Sequence, residues 1–258
     1  MPLRWRNFGP PAGEPAPKAA VPPGTVAYAI GDIHGRDDLL AQIHAGVGHD
    51  ARLRQVPRRV LVYLGDYFSR GVDSRAVVER VLSFRPPGWE IVALKGNHED
   101  LILRFLEGDL ATGRHWLDYG GVDALAHYGV AMADPAARDE VTVAALRERL
   151  LAVLPESHAA FLRGLSASHR EGGYFFAHGG VLPGVPLDRQ RERDLIWIRK
   201  RFLHSDIDHG AVVVHGHCIS AEPEVRANRI GIDTGAYESG ILTCLVLDGE
   251  ERSFLQTT

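Results

Sequence analysis

Cysteine is scarce. The 258-residue chain holds two, Cys218 and Cys244, too few for a disulfide framework and consistent with a reducing compartment. Long apolar runs are missing as well. Stretches such as Ala211–Val214 fall far short of the roughly 18 residues that suggest a membrane span. A positive excess is absent too: 29 Lys and Arg stand against 33 Asp and Glu, for a net charge of −4. That balance speaks against a dedicated nucleic-acid binder. After Arg4 and Arg6 the N-terminus continues as proline-rich polar sequence, with no apolar h-region of a signal peptide. Together these absences lead to the expectation of a cytoplasmic protein with no nucleic-acid and no membrane partner. Oligomeric state leaves no signature.

What is present is a globular composition, 45% hydrophobic and 24% charged, with ample chain for one sizeable core. Residues 1–24 carry seven prolines, which predicts a flexible N-terminal tail ahead of a folded domain over 25–258. Within that domain Val26–Ile30, Arg59–Leu64 and Glu90–Leu94 read as strands. Each precedes a helical pattern: Leu39, Leu40, Ile43 and Val47 on one face, then Asp73–Phe84, then His98–Leu106. Residues 110–165 read as a helical subregion. Strands return at Tyr174–Ala177, Ala211–Val214, Arg229–Ile232 and Ile241–Leu247, with a charged helical segment over Asp188–Leu203. The order predicts an α/β fold of two packed sheets with helices outside, the second set of strands largely antiparallel.

Polar motifs follow the strands. They are Gly31-Asp32-Ile33-His34-Gly35, Gly65-Asp66-Tyr67-Phe68-Ser69-Arg70-Gly71 and Gly96-Asn97-His98-Glu99, then His178-Gly179-Gly180 and Gly216-His217. Ligands of open α/β sheets bind outside the carboxyl ends of strands, so five motifs would converge on one spot. Asp32 and His34, two apart on an extended turn, can point the same way. The Asp66 carboxylate can bridge two ions. Asn97, His178 and His217 complete an oxygen–nitrogen donor set without thiolate, suited to Mn²⁺, Fe or Zn²⁺.

The three ordered motifs resemble those of the calcineurin-like metallophosphoesterases, and among them the PPP-type phosphoprotein phosphatases of bacteria and bacteriophage lambda. The resemblance runs over residues 26–248, through Leu195-Ile196-Trp197-Ile198-Arg199 and Ile232-Asp233-Thr234-Gly235-Ala236. It implies a four-layer α/β sandwich, two packed mixed β-sheets flanked by helices, with a binuclear centre, most simply of Mn²⁺. It assigns Asp32, His34 and Asp66 to one ion and Asp66, Asn97, His178 and His217 to the other. The pair would activate a water for in-line attack on phosphorus. By the same resemblance Arg70 and Arg199 hold phosphoryl oxygens and His98 acts as general acid. The implied activity is a phosphomonoesterase acting on phosphoserine or phosphothreonine in proteins. Hydrolysis of a small phosphoester or a dinucleoside polyphosphate is the alternative, and a catalytically weak phosphate sensor a further one.

One position departs from the pattern. The family's second motif ends Asp-Arg-Gly, where this chain has Ser69-Arg70-Gly71. That aspartate pairs with the histidine at the position of His98. A serine hydroxyl can orient the ring but adds no charge, which predicts a weakened general acid. Glu99 and Asp100 are the neighbouring carboxylates that could replace it. Ser69 and Tyr237, which follows the Asp233–Ala236 turn, are candidates for the substrate cleft.

Overall fold

Alternation with a period of two divides the first sheet into two faces. The computed structural model describes residues 3–258. In β2 (Thr25–Ile30), Val26, Tyr28 and Ile30 join one core while Ala27 and Ala29 join another. The same split runs through β3 (Arg58–Tyr63), with Leu61 and Tyr63 against Val60 and Val62. These strands and β4 (Trp89–Ala93) are parallel neighbours. On the far side of β2 lie β10 (Thr243–Asp248) and β11 (Glu251–Gln256), both antiparallel. A short β1 (Arg4–Arg6) pairs antiparallel with β11 and closes a six-stranded sheet.

The second sheet has five strands. Its order is β5 (Ser168–Glu171), β6 (Tyr174–Ala177), β7 (Val212–His215), β9 (Arg229–Gly231) and β8 (Glu224–Val225). Again three members, β6, β7 and β9, are parallel neighbours. Tyr174, Phe176, Val212, Val214 and Ile230 face the first sheet across a dry core with Ala27, Ala29, Val60, Val62, Leu245 and Phe254. Helices cover the two outer faces, as expected of an α/β sandwich. Over the first sheet lie α1 (Asp37–Leu53), α2 (Ser74–Ser83) and α3 (Asn97–Leu106). Beyond them come α4 (Leu110–Trp116), α5 (Val122–His127), α6 (Glu140–Val153) and α7 (Glu156–Arg163). A wide turn, Leu117–Gly121, joins α4 to α5. Aspartates start several of these helices: Asp73, Asp109 and Asp139 each accept a backbone N–H three residues on. Among the described residues no helix is long and apolar enough to cross a membrane.

Three expectations need correction. The second set of strands is not largely antiparallel, since β6, β7 and β9 run parallel and only β5 and β8 reverse. The proline-rich segment is not a free tail. Arg4–Arg6 form β1, the Phe8 ring meets Phe254 edge-on at 5.2 Å, and Val21 is buried with its N–H donated to Gly249 O. Prolines deny it regular structure but not a docking place, because a chain can lie extended along a sheet edge. The segment over Asp188–Leu203 is not one helix either. It breaks into α8 (Glu192–Trp197) and α9 (Lys200–Leu203), with Ile198 extended and Arg199 at φ −135°, ψ −107° between them. The break sets Arg199 at the mouth of the cleft described next, where an unbroken helix would carry it along a charged face.

Candidate metal centre

Six parallel strands end on one cleft, and each delivers a residue to it or to its wall. Asp32 follows β2, Asp66 follows β3, Asn97 follows β4, His178 ends β6, His217 follows β7 and Asp233 follows β9. The cleft measures about 270 Å³ and is lined by Asp32, His34, Asp66, Asn97, His98, His217 and Asp233, with Arg70, Arg199, Ile219 and Tyr237 at its rim. His178 lies fully buried behind it.

Asp66 is the hub. Its Oδ2 stands 3.3 Å from His34 Nε2, 3.5 Å from His178 Nε2 and 4.0 Å from His98 Nε2. Donor atoms of His34, Asp66 and His98 lie within 4.8 Å of one another, as do those of Asp66, His178 and His217. Two overlapping sets therefore share one carboxylate. His178 Nε2 also reaches Asn97 Oδ1 at 3.0 Å. Asp32 sits on the other side, with Oδ1 3.9 Å from His178 Nδ1 and Oδ2 accepting the His217 N–H at 3.0 Å.

Backbone partners fix the rings. His34 Nδ1 bonds Phe68 O at 2.9 Å and His178 Nδ1 bonds Leu64 O at 3.1 Å, which leaves each Nε2 for the cleft. Two glycines permit the close packing. A Cβ on Gly96 would meet Asp66 Oδ1 at 2.1 Å, and one on Gly216 would meet Asp32 Oδ1 at 2.0 Å. Among the described residues, the non-glycine positions in left-handed backbone are His34, Asp66, Ser69, Arg70 and His217. All belong to these motifs.

The donor set fits divalent cations. Asp32 Oδ1 and His217 Nε2 are buried with no hydrogen-bond partner. Burial, then the Asp233 and Asp66 carboxylates, raise the Asp32 carboxyl well above its ordinary value. Burial pushes His217 down to about 2, with His178 adding to the effect, and lowers His178 as well. Neutral imidazoles and crowded carboxylates are the groups a cation would satisfy. Asp233, given no role in the sequence reading, follows β9 as Asp32 and Asp66 follow β2 and β3. Its Oδ1 accepts the Gly235 N–H at 2.9 Å.

Arg70, Arg199, His98 and Tyr237 are all at the cleft, and among the described residues neither arginine is ion-paired. The Arg70 guanidinium lies 4.9 Å over the Tyr237 ring, which meets His34 edge-on. His215, two residues before His217, is held elsewhere, bonding Gly216 O and packing on Phe202. Ser69 does not line the cleft. It is fully buried, and its Oγ accepts the Trp116 Nε1–H at 3.1 Å. It therefore gives His98 no orienting bond.

Neither neighbouring carboxylate replaces the missing aspartate. Glu99 is consumed by four backbone donors: the N–H groups of Asp66, Tyr67, Phe68 and Gly96. Asp100 accepts the Trp197 Nε1–H at 3.2 Å. His98 Nδ1 is buried without a partner, and burial holds the ring down to about 3.

Known proteins share this arrangement of chain. A bis(5'-nucleosyl)-tetraphosphatase (asymmetrical) PrpE of Anoxybacillus flavithermus is 25% identical over 238 residues, covering 84% of this chain and 88% of that protein. A solved structure provisionally named a diadenosine tetraphosphatase superposes with a TM-score of 0.61 at 18% identity, covering 94% and 96% of the two chains. A cold-active protein-tyrosine phosphatase of a psychrophilic Shewanella gives 0.52 at 16% identity, covering 89% and 78%. At such identities the two structures speak for the fold alone. Residues 26–237, from the first strand through the Tyr237 turn, match the calcineurin-like phosphoesterases, and the chain belongs to that family.

Proposed function

We propose that this chain hydrolyses phosphate anhydrides, with dinucleoside polyphosphates as the substrate class. Family membership gives the coarser activity, metal-dependent phosphoester hydrolysis. The observation that carries the finer reading is the isolation of His98 Nδ1. No carboxylate reaches its Nδ1, Ser69 is turned to Trp116, and Glu99 and Asp100 are engaged elsewhere. A serine alkoxide is a poor leaving group and needs the proton of a general acid. A nucleotide phosphate leaves an anhydride without one. The tetraphosphatase name of the relative from Anoxybacillus supports the same class.

Asp32, His34 and Asp66 would hold one cation, and Asp66, Asn97, His178 and His217 the other. Divalent ions there supply Lewis-acid polarisation of the phosphoryl group and lower the pKa of water. Arg70 and Arg199 face the same cleft uncompensated, so each can take a phosphoryl oxygen through its guanidinium fork. Tyr237 supports Arg70 from below its plane.

The test is specificity in chelator-stripped protein reloaded with Mn²⁺. Diadenosine tetraphosphate should exceed a phosphoserine peptide in kcat/KM by roughly 100-fold, the scale of a missing general acid. A peptide preference would overturn this and leave a serine/threonine protein phosphatase. Binding of Mn²⁺ without turnover of either substrate would leave a phosphate sensor.

A further inference from the structure

Arg70 sits on backbone that does not hold itself. Ser69 and Arg70 are consecutive left-handed residues, at φ 75° and 69°. Each is disfavoured by about 1–2 kcal/mol for an L-residue, so the surroundings must impose the conformation. Three contacts do so: two come from the helical region between residues 110 and 127, and the third, from Ser74 of α2, is itself tied to that region.

Trp116, fully buried at the end of α4, donates its indole N–H to Ser69 Oγ. Gly120, at φ 94° in the wide turn, lies against the arginine backbone, where a Cβ would come 2.7 Å from Arg70 N. Ser74 Oγ accepts the Ser69 N–H at 3.0 Å, and Ser74 donates its own N–H to His127 Nδ1 of α5 at 3.1 Å. The wide turn follows directly on Trp116.

We infer that α4, the wide turn and α5 form the scaffold that sets Arg70 over the cleft, with Trp116 and Ser69 as positioning residues. This rests on Arg70 holding phosphoryl oxygens. It also gives Ser69 a role of its own. The hydroxyl at this position is the acceptor that ties the arginine turn to the helical region.

The experiment uses the Mn²⁺-loaded full chain with p-nitrophenyl phosphate. Trp116→Phe keeps a buried ring and removes the N–H; Ser69→Ala removes the acceptor. Each should lower kcat/KM roughly 10-fold, the scale of one lost hydrogen bond and a slightly misplaced guanidinium. Mn²⁺ affinity should stay unchanged. In an Arg70→Ala background neither should lower kcat/KM further. Equal losses with and without Arg70 would overturn the inference, because the two residues would then act through the core or the metal ligands. Full activity of Arg70→Ala alone would instead overturn the role of the arginine, and the scaffold argument with it. If Trp116→Phe does not fold, Ser69→Ala carries the same comparison.

Discussion

Glu99→Gln isolates the clamp behind the metal centre. The Glu99 carboxylate is fully buried. Oε2 accepts from Asp66 N at 2.8 Å and Gly96 N at 2.9 Å; Oε1 accepts from Tyr67 N at 2.9 Å and Phe68 N at 3.3 Å. Burial, then the Asp66 charge, push this carboxyl up to about 7. Yet all four neighbours are donors, and a proton on the carboxyl would have no acceptor. The ionised form is the one that fits.

Glutamine keeps the volume but supplies one accepting oxygen instead of two. Two of the four N–H groups would then face an amide NH₂. Hydrogen bonds to a charged group contribute about 1.5–3 kcal/mol each, so the variant should lose about 3–5 kcal/mol. That corresponds to roughly 10 °C in Tm for a chain of this size. Asp66 hangs from the same clamp, so Mn²⁺ affinity should fall by about 10- to 100-fold. Urea denaturation of metal-free protein and a competition titration with a chelator measure the two effects. A variant within about 1 kcal/mol of wild type would refute the reasoning. The carboxyl would then be protonated in the fold.

The docked N-terminal segment and the buried histidines supply two further tests. Phe8→Ala removes the edge-on contact with Phe254 and should cost about 1–2 kcal/mol; unchanged urea unfolding would mean that the segment is free in solution. Burial, with Arg80 nearby, lowers His44, which packs on Tyr63 and Phe84, to about 3 from its ordinary 6.5. Between these values the unfolded chain binds a proton that the folded chain does not. Stability is therefore full above pH 6.5 and falls as the pH drops toward 3, by about 2 kcal/mol between pH 7 and pH 5. His44→Gln, measured with chelator at both pH values, should remove that share of the acid loss; an unchanged pH dependence would count against it.

The parallel core was legible because its signals are local. Strands β2, β3 and β4 alternate cleanly and each ends in a glycine-flanked motif. The candidate metal residues could thus be placed by counting from strand ends. Elements that depend on distant partners were not legible. Strand β1 is three exposed residues, Arg4, Trp5 and Arg6, whose partner β11 lies at the other end of the chain. Strand β5 is Ser-His-Arg-Glu, without apolar alternation, and forms only at the edge of β6. The break at Arg199 is invisible in the composition of its segment. One feature there is that Gly179 takes its bond from inside that helix, donating its N–H to Leu195 O. Ser69 could be read as a missing carboxylate from spacing alone. Where its hydroxyl points is decided by Trp116, 47 residues away.

The left-handed residues connect site and scaffold. Side chains at a regular strand end alternate between faces, so converging donors need an abrupt reversal right after each strand. Here that reversal falls on His34, Asp66, Ser69, Arg70 and His217 rather than on glycine alone. At about 1 kcal/mol or more apiece, the strain approaches the whole net stability of a typical domain. It persists because fixed partners surround it. Phe68 O holds His34, Glu99 holds the Asp66 turn, Trp116 and Ser74 hold Ser69, and Asp32 holds His217. Each of these contacts is a polar bond, while the Phe68 and Trp116 rings are themselves packed in the apolar core. The sandwich therefore supplies the stability, and polar bonds anchored to it at the strand ends spend it on geometry.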